Sequence, residues 1–397
     1  MNVIIAALSA PVRMNGVSRH GGNLARALLN TSTITSVHFL AGEWQKEMFK
    51  NALAGTDSRL HVHWIPLRDA NVSRLIWYYR ELPHIAEQLE ADVVHLTFPA
   101  PTALAAYHCP TVLSLHDLYP FDIPRNFGIV KSAVARYIIR QCIWRVDAIA
   151  CVSSITRTEL KRYFPRAARK SIVIPNVVEF RAPAAAGGSL DQLKSRKFIL
   201  CVAQHRSNKN IRLAIQVFEQ LLRERTVPMD ARLVVVGIPG PETQKIEEMI
   251  RGLRLCSRVV LYSGLTDAEV RWCYENCEIL LAPSTMEGFG LPVAEGMLAG
   301  CRIVCSDIPA FRELGGKDCW YVKWTNDPAA AYVEAIRKAL AVPRPRGGCL
   351  PRLSPAFVGQ QYVELYSSLV CSPMSEFDML SQPESLTDRP VSTRPQW

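Results

Sequence analysis

Two glutamates stand eight positions apart in the segment Pro283-Ser-Thr-Met-Glu-Gly-Phe-Gly-Leu-Pro-Val-Ala-Glu295, one on each side of a Gly-Phe-Gly turn. The turn follows the apolar run Ile279-Leu-Leu-Ala, so the pattern reads strand, turn, helix, with Pro292 suited to the helix's first turn. Such a junction presents free backbone N–H groups to a phosphate. Glu287 and Glu295 would repel a phosphate. Their places at either end of the turn suit them instead to the hydroxyls of a sugar and a ribose joined through a diphosphate. Treating both as solvated charges near a helix start, where the dipole favours anions, leaves the Gly-Phe-Gly insertion unexplained.

A second junction is Cys201-Val-Ala-Gln-His-Arg-Ser-Asn-Lys-Asn210. Arg206 and Lys209 fall in its turn, where two cations neutralise a pyrophosphate and stabilise charge on its departing oxygen. Asn208 or Asn210 suits a helix cap, and His205 reads as polar loop filler. His116-Asp117 closes the strand Thr111-Val-Leu-Ser-Leu115. A histidine there can bond a sugar hydroxyl or the reacting oxygens, and Asp117 can orient it, act as a base, or cap a turn. His95 and Thr97 follow the preceding strand and are candidates for an acceptor wall. In Gly16-Val-Ser-Arg-His-Gly-Gly-Asn23, Gly21 and Gly22 permit close backbone approach at a helix start expected near Asn23. A tight turn and a ligand contact are both open there, and the spacing does not fit the dinucleotide fingerprint.

The elements that must position these residues alternate between short apolar runs and helical patterns. Strands are expected at Val3–Leu8, Ser36–Leu40, Val62–Ile65, Val93–Leu96, Thr111–Leu115, Ala148–Val152 and Ser171–Ile174. After the break Pro183-Ala-Ala-Ala-Gly-Gly-Ser a second series runs through Phe198–Ala203, Ala231–Val236, Val259–Tyr262, Ile279–Ala282 and Ile303–Cys305. Continuous apolar strands separated by helices mean parallel sheets covered on both faces. The expectation is an α/β protein of two doubly wound, Rossmann-like domains facing across a cleft, with ligands at the carboxyl ends of the strands. Its parts are an N-terminal domain over 1–180, a linker over 181–197, a C-terminal domain over 198–345, a helical segment over 355–371 and a disordered tail over 372–397.

Composition narrows the classes. Hydrophobic content of 49% with 21% charged residues is that of a globular chain, and no apolar run reaches the roughly 18 residues a membrane span needs. The twelve cysteines include no CxxC pair, which argues for reduced thiols in a cytoplasmic protein and against structural zinc. The net charge of +10 is uneven: Arg125 to Lys170 holds eleven Lys/Arg against only Asp147 and Glu159. Within it, a helical pattern puts Phe127, Val134, Ile138 and Trp144 toward a core or an acyl boundary, with Lys131, Arg136, Arg140 and Arg145 toward anionic headgroups. A core helix with a solvated basic face fits equally well. Nucleic acid is a poorer partner, since no base-reading motif accompanies the charge.

From Pro283 through Gly300, followed by Val304 and Ser306-Asp307, the residues resemble the retaining glycosyltransferases with two Rossmann-like domains (the GT-B type), specifically the family 4 group that includes bacterial mannosyl-, rhamnosyl- and N-acetylglucosaminyl-transferases. The resemblance reaches to about Leu369. It implies that Glu287 contacts the donor sugar, Glu295 binds the ribose, and the amides of Phe289, Gly290 and Leu291 hold the diphosphate with Lys209. It further implies that His116 is the cleft histidine, that Gly21 and Gly22 form the first glycine loop, and that Tyr262-Ser-Gly-Leu-Thr-Asp267, with Leu265, meets the base. Where many relatives carry arginine directly after the strand this chain has Ala203, and Arg206 would reach the same phosphate. No metal or cofactor is implied beyond the donor substrate.

The reading is a retaining hexosyltransferase, with mannose or rhamnose favoured. Its partners are a nucleotide-sugar donor, a glycan or polyprenyl-linked acceptor in surface polysaccharide or lipopolysaccharide assembly, and an anionic membrane surface met through 125–170. The rivals are a nucleotide-sugar 2-epimerase of the same architecture and a degenerate glycan- or nucleotide-binding subunit.

Overall fold

The computed structural model describes residues 1–9, 14–53, 57–67, 72–102, 107–124 and 128–371. Seven strands form the first sheet: β1 (Asn2–Ala6), β2 (Ser36–Gly42), β3 (Leu60–Ile65), β4 (Val93–Leu96), β5 (Thr111–Leu115), β6 (Ala148–Cys151) and β7 (Ser171–Val173), in the order β3-β2-β1-β4-β5-β6-β7. Six form the second: β8 (Phe198–Val202), β9 (Arg232–Val236), β10 (Val259–Tyr262), β11 (Ile279–Ala282), β12 (Ile303–Ser306) and β13 (Cys319–Val322), in the order β10-β9-β8-β11-β12-β13. All strand pairs are parallel. The two-domain GT-B architecture read from the sequence is the one observed.

Alternation of side chains across the pleat explains why these strands are apolar throughout. Val3 and Ile5 enter one core layer of the first sheet while Ile4 and Ala6 enter the other. Ile199 and Cys201 divide from Phe198 and Leu200 in the same way in the second sheet. Truncating one such side chain, Ile5→Ala for instance, costs about 2–5 kcal/mol. In each sheet the order reverses beside a central strand, between β1 and β4 and between β8 and β11. Crevices open at the carboxyl ends of such strands.

Two connections tie the domains together. The segment 181–197 is not a bare tether: Leu190 and Leu193 are buried in the second domain's core beside Phe198 and Tyr274. On the return, the helix Pro355–Cys371 packs Val358, Tyr362, Val363 and Tyr366 into the first domain's core. Gly359 allows that approach, because a Cβ there would lie 2.2 Å from the Ala27 carbonyl oxygen.

Three elements differ from the sequence expectation. β13 was absent from it; its strand is half-buried rather than continuously apolar in its surroundings. The first helix spans Gly16–Leu29, with Asn15 capping it by accepting from the Ser18 N–H at 2.9 Å, so it starts well before Asn23. The basic helix is Ile129–Arg145, and it buries Ser132, Ile139, Cys142 and Ile143. Arg136 and Arg145 do not face outward for headgroups: they donate to the carbonyls of Pro120 and Thr102. Val134 and Trp144 are exposed. Phe127, Arg125 and the tail over 372–397 lie outside the described residues. Among the described residues no helix is long and apolar enough to cross a membrane.

Candidate functional site

β11 ends at Ala282, and the chain then turns through Gly290, whose φ of 99° is left-handed, into the helix Leu291–Leu298. That φ, and a hypothetical Cβ 2.9 Å from the Phe311 ring, require glycine at 290. The amides of Phe289, Gly290 and Leu291 donate to no acceptor among the described residues. They are the unengaged donors a helix start leaves. Phe289 itself is buried, in a seam that joins Val152 and Val178 of the first domain to Ala294 of the second and to Leu353, just before the returning helix.

Glu287 is buried, and both its carboxylate oxygens accept from Lys209 Nζ at 2.6 Å, with Ser284 Oγ donating to one at 2.8 Å. Lys209 closes the short 3-10 turn Ser207–Lys209 after β8. The two loops are laced by Thr285 N–H to the Asn208 carbonyl at 2.8 Å and Asn208 Nδ2 to the Met286 carbonyl at 3.2 Å. Neither asparagine caps the next helix through its side chain: Asn210 sits at the cap position at φ 50° without a side-chain bond. Arg206 lies near enough to Asp117 and Tyr119 across the cleft to favour their charged forms.

Glu295, eight residues on, accepts from Tyr274 Oη at 2.7 Å. Burial raises its pKa, opposed by Arg19 from the first domain and by that tyrosine. Arg19 also pairs with Asp267 at 2.7 Å. Leu265 is half-buried beside the turn at Gly264, whose φ is 88°, just before Thr266 caps the helix Asp267–Asn276.

Across the cleft, His116 is held neutral, its pKa lowered to about 4 by burial. Its Nε2 lies 2.9 Å from the Thr97 carbonyl. A carbonyl only accepts, so Nε2 carries the hydrogen and Nδ1 keeps its lone pair. The imidazole is therefore fixed as an acceptor for a hydroxyl. Asp117 accepts from the Tyr119 N–H at 3.0 Å, the capped turn among its three readings, and burial raises its pKa. The walls touch at Gly288: a Cβ there would lie 2.1 Å from the His116 carbonyl oxygen. The Gly288 carbonyl accepts from Ser153 Oγ and, at 3.2 Å, from Thr156 Oγ1. Glu313 reaches over to accept from Ser154 N–H at 2.9 Å.

The glutamate segment, Arg206, Lys209 and His116 thus gather at one cleft. Two expectations are corrected. Gly21 and Gly22 do not form a loop at a helix start; they lie inside the helix Gly16–Leu29, where the bare Cα of Gly21 lets the helix approach Thr97 and Ala7, and Gly22 lies beside Ala52 and Phe49. His95 does not line the cleft, since it is fully buried and bonded to Ser114 and Tyr366. The helix start that does face the donor loop is Gly16, whose missing Cβ would be 3.4 Å from Leu291 Cδ1. The Asn15-Gly-Val-Ser18 cap was the available sequence signal for it.

Comparison with known proteins points to glycosyltransferases for both halves. The profile for Glycosyltransferase Family 4 matches residues 14–181, and that for Glycosyl transferases group 1 matches residues 189–346. Each half of this chain thus matches a glycosyltransferase profile, the first half that of family 4 and the second that of group 1. Relatives include an α-monoglucosyldiacylglycerol synthase of Streptococcus pneumoniae, 23% identical over 64% of this chain and 60% of its own length. The O-antigen chain mannosyltransferase B of Escherichia coli is 24% identical over 82% of this chain and 87% of its own. The chain spans about three-fifths of the length of the pneumococcal relative it matches. Among solved structures, Anabaena Alr3699/HepE in complex with UDP and glucose superposes with a TM-score of 0.66 at 16% identity, covering 93% of this chain and 100% of that one, a likeness of fold. Among the described residues no group of three His, Cys, Asp or Glu side chains could hold a metal ion.

Proposed function

We propose that this glycosyltransferase moves a hexose, with mannose or rhamnose favoured, from a nucleoside diphosphate sugar to a hydroxyl of a glycan or lipid-linked acceptor in surface polysaccharide assembly, with retention at the anomeric carbon. The observation that carries this is the row of three unengaged amides at 289–291 with Glu287 at one end, Glu295 at the other and Lys209 alongside. Without donor, Lys209 and Glu287 neutralise each other. A diphosphate draws Lys209 to itself, with Arg206 and the amides, and frees Glu287 to accept from sugar hydroxyls. No metal ion is needed in this scheme, because the two cations and the amides meet the diphosphate charge.

In the reaction the bond from the anomeric carbon to the diphosphate oxygen breaks, and the acceptor oxygen bonds to that carbon on the same face. The acceptor proton passes to the departing phosphate oxygen. The protein's work is alignment, exclusion of water and stabilisation of the leaving charge. His116 Nδ1 takes a sugar hydroxyl from the opposite wall.

An anionic membrane as the acceptor's setting is supported by the helix Ile129–Arg145. Val130, Val134, Tyr137 and Trp144 fall on one exposed stripe, Tyr137 at 70% exposure, flanked by Lys131 and Arg140. A cytoplasmic protein peripheral to the membrane's inner face accords with this.

Calorimetric titration with GDP, UDP, dTDP and ADP, each with and without EDTA, tests the donor site. Selective, EDTA-insensitive binding of one nucleotide, followed by turnover of its sugar donor, is expected; no binding by any of the four in folded protein overturns the reading. Sedimentation with anionic and neutral vesicles tests the membrane arm, where equal absence from both removes it.

A further inference from the structure

Beneath the cleft, five fully or largely buried polar side chains form one string. Tyr366 Oη lies 2.6 Å from His95 Nδ1, His95 Nε2 lies 2.8 Å from Ser114 Oγ, and Ser114 Oγ lies 2.8 Å from His20 Nε2. Tyr362 Oη joins at Ser114, at 3.2 Å. The His20 ring meets the His116 ring edge-on, centroids 4.8 Å apart. Asn176 stands beside His20, and its buried Oδ1 has no hydrogen-bond partner among the described residues.

Hydrogen counting gives the string a direction. Tyr366 is fully buried, and its hydroxyl has only His95 as a partner among the described residues. A hydroxyl hydrogen left unpaired in a core is costly, so Tyr366 donates to His95 Nδ1. His95 then carries its hydrogen on Nε2 and donates to Ser114 Oγ. Tyr362, with Ser114 as its one partner, also donates there. Ser114 has a single hydrogen, and the acceptor left for it is His20 Nε2. His20 must therefore carry its hydrogen on Nδ1, on the side of Asn176.

The two ends of the string belong to the two places where the chain passes between the domains. Tyr366 and Tyr362 lie on the returning helix Pro355–Cys371, and Asn176 follows β7 on the outward passage. We infer that Tyr366, His95, Ser114 and His20 are positioning residues: docking of the returning helix fixes the tautomer and ring orientation of His20, and through its edge-on contact the orientation of the cleft histidine His116. Burial keeps the three histidines uncharged, and His95 and His116 each lower the pKa of His20 further, so the string passes orientation rather than charge.

The decisive measurement is long-range ¹⁵N–¹H correlation of histidine side chains in the intact protein, assigned by single His→Gln variants. It requires no substrate, and so stands or falls separately from the transferase reading, on which only the kinetic arm rests. Wild-type protein at neutral pH should show His20 protonated on Nδ1, with His95 and His116 protonated on Nε2. Tyr366→Phe should mix the His20 tautomers and move the His116 resonances. Tyr362→Phe, which removes a hydroxyl outside the line of transmission, should leave His20 on Nδ1. Finding His20 on Nε2 in the wild type, or His20 and His116 unmoved in Tyr366→Phe, overturns the inference. In the kinetic arm Tyr366→Phe should lower kcat roughly tenfold, the scale of one hydrogen bond, with nucleotide affinity unchanged. Equal losses in Tyr366→Phe and Tyr362→Phe would mark simple core damage and overturn it as well.

Discussion

The two walls of the cleft handle charge in opposite ways. The donor wall sets its acids against cations, Glu287 with its own Lys209, and Asp267 and Glu295 with Arg19 reaching over from the first domain. The acceptor wall removes charge: burial lowers the pKa of His116 to about 4 and that of His95, in the core behind the wall, to about 3, and raises those of Asp117 and Tyr119. A wall of paired ions can open its pairs to a charged ligand with little net cost, since one electrostatic partner replaces another. A wall of neutral imidazoles suits a neutral hydroxyl and would be spoiled by a proton. The difference matches a diphosphate on one side and a sugar alcohol on the other.

Breaking the contact between the walls should have the largest effect. Gly288→Ala places a methyl where the His116 carbonyl stands, holding the cleft ajar; turnover should fall by about a hundredfold or more, since misplacement of about 1 Å costs that much. Small-angle scattering should show a more open molecule. Unchanged turnover and scattering would mean the contact does not govern closure. Glu287→Ala comes next: losing charge-assisted bonds to the sugar should cut turnover roughly ten- to a hundredfold, while affinity for the free nucleotide holds or rises because Lys209 is released. Equal loss in rate and nucleotide affinity would reassign Glu287 to the diphosphate.

The neutral wall is tested by acid. His95 and His116 titrate lower in the folded protein than the ordinary value near 6.5, so between that value and about 4 the unfolded chain binds protons the folded one refuses. Stability is complete above about pH 6.5 and drains away as pH falls toward 4. The thermal midpoint at pH 5 should sit roughly 5 to 10 °C below that at pH 7.5, and a flat profile would mean the histidines charge in place. The smallest effect belongs to Arg19→Ala. Its partner Asp267 is more than half exposed, and such pairs contribute about 1 kcal/mol or less, so nucleotide affinity should change less than about fivefold.

Legibility in the sequence also differed between the walls. The donor wall is written in consecutive residues: a buried strand, a Gly-Phe-Gly turn and two spaced glutamates report their geometry locally. Most strands were equally plain, since a parallel strand buried on both faces must be an apolar run. The acceptor wall is assembled from distant residues, and its signals mislead. Gly21-Gly22 reads as the start of a helix, yet both lie inside it, where Gly21 packs tightly against Thr97. His95 reads as a cleft residue because it precedes a strand's end, but the pleat points it inward, to a tyrosine 271 residues away. His20 offered no local signal, and only the tertiary fold sets it against His116.

The returning helix has a practical consequence for anyone wishing to take this molecule apart. Cutting at the sequence boundary near residue 180 would yield a first half whose core lacks one covering, with the surface beside Leu24 and Phe39 laid open where Tyr362 and Tyr366 belong. The severed halves are better thought of as a lock missing its bolt: the amino-terminal fragment should be soluble and folded only when supplied, in trans or by fusion, with the peptide 355–371.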